Sequence, residues 1–267
     1  MCRTYMFRND QEEGHFVLSN KPYGVGRLLE HRPEYSAQGF LLLDSDMLLT
    51  APLDLTRLRG KPGLHGSTSS PPLNLSFVQT QLHDLDACLD AVGVSREALA
   101  RNNHIFGEVP YYLEGVSAEF CFKVALDSSV VHARFKAEKA RGAAIELWVA
   151  EVYCWLWNAF ATYPVYNAPE LNFAWAFDSL EKLSQVKINH AAGVNSPQAG
   201  HFCKLLYHDT SPLEYRDFAY VTRTDCCSYA YLQAVLETRT VRRDKKIYFE
   251  RSSALEGFKG NGFKKPF

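Results

Sequence analysis

The stretch GFLLLDSDMLLT, from Gly39 to Thr50, constrains this chain more than any other. Its apolar residues form a run of strand length, and two carboxylates, Asp44 and Asp46, interrupt it one residue apart. That composition suits a strand buried on both faces, as in a parallel α/β sheet. Asp is a poor strand former, and a carboxylate pair in an apolar run is costly unless something neutralises it. A divalent cation does so with oxygen ligands. The end of a strand is also where open α/β sheets place their ligands. The plainer alternative is a solvated turn in which Asp44 or Asp46 caps the next element.

The rest of the chain bears on which reading holds. Its 267 residues suffice for one large domain or two small ones. A net charge of −1 gives no reason to expect nucleic acid or an anionic membrane as the main partner. No apolar run is long enough for a membrane span, and the charged N-terminus has no signal-peptide core. The seven cysteines are scattered without a CxxC pair, so neither a zinc ribbon nor a redox dithiol is signalled and a reducing compartment is expected. With no signal peptide or membrane span visible, a cytoplasmic setting is expected. Cys121 and Cys154 lie in apolar contexts and read as core residues.

Strand-like and helix-like segments alternate, which favours an α/β fold with a mostly parallel sheet flanked by helices. A strand is expected at His15–Leu18, broken by Asn20-Lys21-Pro22, with a short helix over Gly24–His31. Gly60–Pro72, GKPGLHGSTSSPP, reads as a long flexible loop and a candidate flap. The apolar spacing predicts one helix over Val78–Val92 and another capped by Ser95. A strand is expected at Tyr111–Glu114, a helix from Ser117, and a polar helix over Ala133–Arg141. Ala143–Thr162 is apolar nearly all round and reads as a buried helix carrying Glu146 and Glu151. Extended segments at Val165–Asn172 and Val186–Ala191 and a helix over Ser228–Leu236 precede a basic tail over 239–267. Residues 1–59 and 73–238 then form the two parts of one domain, on either side of the loop.

Four groups join the two aspartates as candidates. His190 ends a strand ahead of Ala-Ala-Gly, where a neutral imidazole could complete a carboxylate metal site or serve only structure. His201 and Lys204 stand close together; a lysine is a compact point charge suited to phosphate, and otherwise a surface residue. Glu151 on its apolar helix needs a role or a partner, as a general base, a binder of a substrate hydroxyl, or half of an ion pair.

Taken in order, Asn20 and Pro22, Leu28 to Glu30, Asp44 and Asp46, Pro110 and Tyr111, Trp148 and Glu151, and His190 with Gly193 resemble a nucleotide-sugar glycosyltransferase of the GT-A fold. In detail the chain is most similar to peptidyl glycosyltransferases that act on hydroxyproline or serine and to their bacterial relatives, over roughly residues 19–208. The resemblance implies manganese or magnesium held by Asp44, Asp46 and His190, bridging the diphosphate of a donor. It implies donor contacts from Asp44, His201 and Lys204, with catalysis by Asp46 and Glu151, Glu151 facing the sugar or the hydroxyl acceptor (peptide or glycan). The Gly60–Pro72 loop would close over the donor. Only 43 residues precede Asp44, fewer than the resemblance implies, so either the chain is truncated relative to the family or its nucleotide-binding half is reduced. Two other readings stay open. One is a non-catalytic scaffold of the same fold. The other is a haloacid-dehalogenase-like phosphatase, disfavoured by Leu48 where that family wants Thr or Val.

Overall fold

A computed structural model describes residues 16–70, 73–194, 199–207 and 217–245. Helices α1 (Asn20–His31) and α2 (Glu34–Gln38) lead into strands β1 (Phe40–Leu42), β2 (Met47–Leu49) and β3 (Gly63–Ser67). Three short helices come next, α3 (Leu75–Gln81), α4 (Leu85–Asp90) and α5 (Arg96–Arg101). After β4 (Glu108–Glu114) come the long helix α6 (Ala118–Ala140) and α7 (Ala150–Thr162). Then β5 (Val165–Asn167), β6 (Phe173–Trp175), α8 (Leu180–Gln185), β7 (Ile188–His190) and α9 (Cys227–Lys245) complete the order.

The strands form two small sheets, ordered β1-β4-β3-β5 and β2-β7-β6. The α/β class is observed, but the sheets are mixed rather than mostly parallel. β1–β4, β3–β4 and β2–β7 pair antiparallel, and only β3–β5 and β6–β7 pair parallel. Gly39–Thr50 is accordingly not one strand. It supplies the edge strand β1 to the first sheet and the edge strand β2 to the second, and Asp44 and Asp46 occupy the passage between them. β1 is half-buried: Phe40 and Leu42 pack on the main core, and Leu41 packs on a smaller cluster with Tyr112 and Leu171. The strand buried along its whole length is its neighbour β4.

The expected flap is the clearest correction. Gly63–Ser67 is a fully buried strand between β4 and β5. Its small residues reflect crowding rather than looseness. Gly63 holds a φ of +136°, and a Cβ there would meet the carbonyl oxygen of Pro164 at 2.2 Å. A Cβ on Gly66 would lie 2.9 Å from the Cα of Gly107. Composition alone cannot separate such a strand from a linker, because both use glycine, one for close approach and the other for freedom.

Other boundaries move for local reasons. The predicted Val78–Val92 helix is two, because Leu82 is extended and the Asp84 side chain caps α4 by accepting from the Ala87 amide. Ser95 and Ser117 cap α5 and α6 in the same way, and the two helical segments expected after Ser117 are one helix. Asn20-Lys21-Pro22 opens α1 instead of breaking a strand, since proline is tolerated in a first turn. Val17–Ser19 is a 3-10 turn, not a strand. Glu146 precedes the buried helix and is exposed, while α7 is buried from Ala150 to Phe160. α6 packs against both α1 and α7, and the main core runs from Phe16 to Val165. The start of the basic tail, Arg239–Lys245, continues α9. Cys121 and Cys154 are buried as expected, and both are free thiols. Among the described residues, no helix is long and apolar enough to cross a membrane.

Candidate metal centre

The change of sheet between β1 and β2 turns the chain sharply. The Met47 amide bonds back to the Asp44 carbonyl at 3.0 Å. The Asp46 carbonyl accepts from the Ala191 amide at 3.0 Å, which fastens the turn beside the end of β7. His190 lies opposite Met47 in the β2–β7 ladder, and Asp46 is the residue just before Met47. One ligand atom from each of Asp44, Asp46 and His190 falls within 4.8 Å of the others. His190 Nε2 is 3.5 Å from Asp46 Oδ1 and 3.8 Å from Asp44 Oδ2.

The imidazole is clamped by aromatic rings. Trp175 stacks on it, with centroids 5.2 Å apart and planes 21° off parallel, and Phe173 meets it edge-on at 5.1 Å. Its Nδ1 is buried without a hydrogen-bond partner. The register of β6 against β7, with Trp175 opposite His190, sets this clamp.

Two lysines approach the aspartates. Lys21, from the first turn of α1, donates to Asp44 Oδ1 at 2.6 Å and lies 3.1 Å from Glu151 Oε2. Lys204, from a 3-10 turn over Lys204–Tyr207, pairs with Asp46. Burial would raise the Asp46 carboxyl, but His190 and Lys204 override it and hold the group well below the usual carboxylate range. Burial also works against the charged form of Lys21, and there Glu151 and Asp44 prevail, so its ammonium is retained above the ordinary lysine value. For Glu151 burial wins: its carboxyl is raised, against the pull of Lys21.

Five of the six residues singled out in the sequence therefore meet in one cluster, and Glu151 enters it indirectly. It faces no cleft. It is 2% exposed, accepts from the Trp155 indole at 2.6 Å and reaches Asp44 only through Lys21. Its place in the first turn of α7 sets it at the positive end of the helix dipole. The contacts of Glu151 are those of a group that holds Lys21 in place. His201 does not join the cluster. It is buried with its Nδ1 3.3 Å from Cys226 Sγ and 3.3 Å from Ser228 Oγ, and among the described residues it contacts none of the three candidate ligands. Adjacency to Lys204 in sequence misled because the turn between them sends the two side chains to different places.

Lys21, Trp175 and Glu108 belong to the site and were not selected from sequence. Lys21 was flanked by the Asn20 and Pro22 signal. Phe173–Trp175 is a three-residue strand without periodicity to read. Glu108 begins β4, 6% exposed; burial and the nearby charge of Asp44 push its carboxyl up to about 8.

The residues fit a divalent cation. Two carboxylates and an imidazole are a mixed O/N donor set that such ions accept. A spread of 4.8 Å lets three ligand atoms reach one ion at usual bond lengths. Three carboxylates, Asp44, Asp46 and Glu151, gather here against the two ammonium groups of Lys21 and Lys204. Compared with family models, with curated proteins and with solved structures, the chain matches none.

Proposed function

We propose that this chain is a metal-dependent glycosyltransferase that moves a sugar from a nucleotide-diphosphate donor to a hydroxyl acceptor, within a GT-A-like fold. The observation that carries the reading is the convergence of Asp44, Asp46 and His190 between two lysines. A purely structural carboxylate pair needs no imidazole clamped by two aromatic rings. Manganese or magnesium, held by those three side chains, would act as a Lewis acid on the departing diphosphate.

The remaining roles fall to this chain's own groups. Lys204 is half-exposed on a short turn, so its ammonium can leave Asp46 for a phosphate oxygen and offset charge on the leaving group. Lys21 orients Asp44, and Glu151 with Trp155 holds Lys21 in place. Glu108 is the group we assign to proton transfer. With its carboxyl near the working pH, it takes the proton that the acceptor hydroxyl loses as that oxygen bonds to the anomeric carbon and the bond to diphosphate breaks.

Titration calorimetry of UDP and GDP, with and without manganese, tests the reading. Nucleotide binding that requires the ion is expected. Binding indifferent to the ion, or none, would leave a salt-bridged scaffold in which the two lysines already neutralise the aspartates.

A further inference from the structure

A cavity of about 270 Å³ adjoins the metal centre. Phe77, Trp148, Tyr153 and Trp175 give it aromatic walls, and Ser70 and Glu108 also line it. Trp175 is the ring that stacks on His190, so one indole faces both places. Trp148 is 54% exposed at a position where a core tryptophan would be covered.

The cavity's polar groups set it apart from a packing void. Ser70 Oγ, Glu108 Oε2 and Tyr153 OH are three of the five buried side-chain polar atoms among the described residues that have no hydrogen-bond partner. All three belong to residues lining this one cavity. Tyr153 is wholly buried and Glu108 nearly so. Buried polar groups left unpaired cost stability, and such concentration in one apolar space marks a place kept for a ligand with matching polar atoms.

From this we infer that the cavity is a subsite for a single pyranose ring of a saccharide acceptor, packed flat against aromatic faces and hydrogen-bonded by Ser70, Tyr153 and Glu108. A pyranose has apolar C–H faces and a polar rim, which is the division the walls show. The volume lies below the usual range for drug-sized ligands, so it admits one ring and not an oligosaccharide or a folded peptide. Glu108 then meets a ring hydroxyl beside Asp44. The inference rests on the transferase reading only in calling the ring an acceptor.

Saturation-transfer NMR with a panel of methyl pyranosides (gluco, galacto, manno and arabino) tests it on the full chain without added metal. Binding of at least one glycoside is expected, unchanged in Asp46→Asn and, in a second series with magnesium added so that the nucleotide can bind, not displaced by UDP-glucose. Trp148→Ala, at an exposed position, should weaken the Kd about tenfold. Tyr153→Phe should weaken it as well while leaving thermal stability equal or higher, because the hydroxyl it removes has no partner in the free protein. A hydroxyl with a purely structural role would lower stability and spare binding. No glycoside binding, or binding unchanged in both variants, overturns the subsite. Displacement by UDP-glucose assigns the ring to the donor and overturns the acceptor assignment. Manganese-dependent nucleotide binding without glycoside binding would leave the metal reading standing alone; the reverse pattern would leave only the subsite.

Discussion

Replacing Lys21 with methionine tests how the carboxylate cluster is held. The lysine bridges Asp44 and Glu151, and its side chain keeps 21% of its exposure while that of Glu151 keeps 2%. Methionine preserves the aliphatic length and removes the charge, so Glu151 keeps only its Trp155 hydrogen bond. Removing one partner of a buried pair costs about 3–5 kcal/mol, because the other charge is left unpaired. Partial hydration of Lys21 and Asp44 argues for the lower end, about 3 kcal/mol. For a chain of this size that is a fall in Tm of about 6–12 °C. Adding Glu151→Gln should return a large part of the loss, since the stranded charge disappears and the amide oxygen still accepts from Trp155. Urea and thermal unfolding followed by circular dichroism, run as a double-mutant cycle, give the coupling, expected at about 1.5–3 kcal/mol. A loss below about 1 kcal/mol for Lys21→Met, or strictly additive losses, would refute the bridge.

Manganese at about a hundred times its Kd should stabilise the wild-type chain by about 2.7 kcal/mol and leave Asp46→Asn unmoved, as read by Tm. Gly66→Ala should lose about 1–3 kcal/mol in urea unfolding, since the new methyl meets the Gly107 backbone and neither strand nor turn can yield cheaply. Glu108 governs a pH window. Its folded value of about 8 lies above the ordinary 4.5, so its contribution is complete below 4.5 and is lost as pH rises towards 8. Stability should thus fall across that window by an amount on the order of a few kcal/mol, and Glu108→Gln should flatten the fall, as measured by Cm against pH.

Several local features were legible in the residues themselves. Ser95 and Ser117 announce helix starts because a side-chain oxygen bonding an amide three residues on is a local event. The buried character of α7 follows from its all-apolar sequence. The Asp44, Asp46 and His190 set was also visible, because carboxylates in an apolar run and a histidine at a strand end each raise a problem that a shared cation solves.

Other features depend on which strand pairs with which. Gly60–Pro72 has the composition of a linker, and only the closeness of Gly107 and Pro164 shows why its glycines build a central strand. Glu151 kept three open roles until its partner proved to be Lys21, some 130 residues away in sequence. Lys204 and His201 differ by three positions, yet one joins the cluster and the other is buried with Cys226 and Ser228. The amino-acid order by itself determined where charge would be awkward and where helices would begin, since both are settled within a few residues. Tertiary structure alone decided what neutralises the charge at Gly39–Thr50. Its two halves pair with different sheets, and the turn between them meets β7, α1 and the Lys204 turn only once the chain is folded.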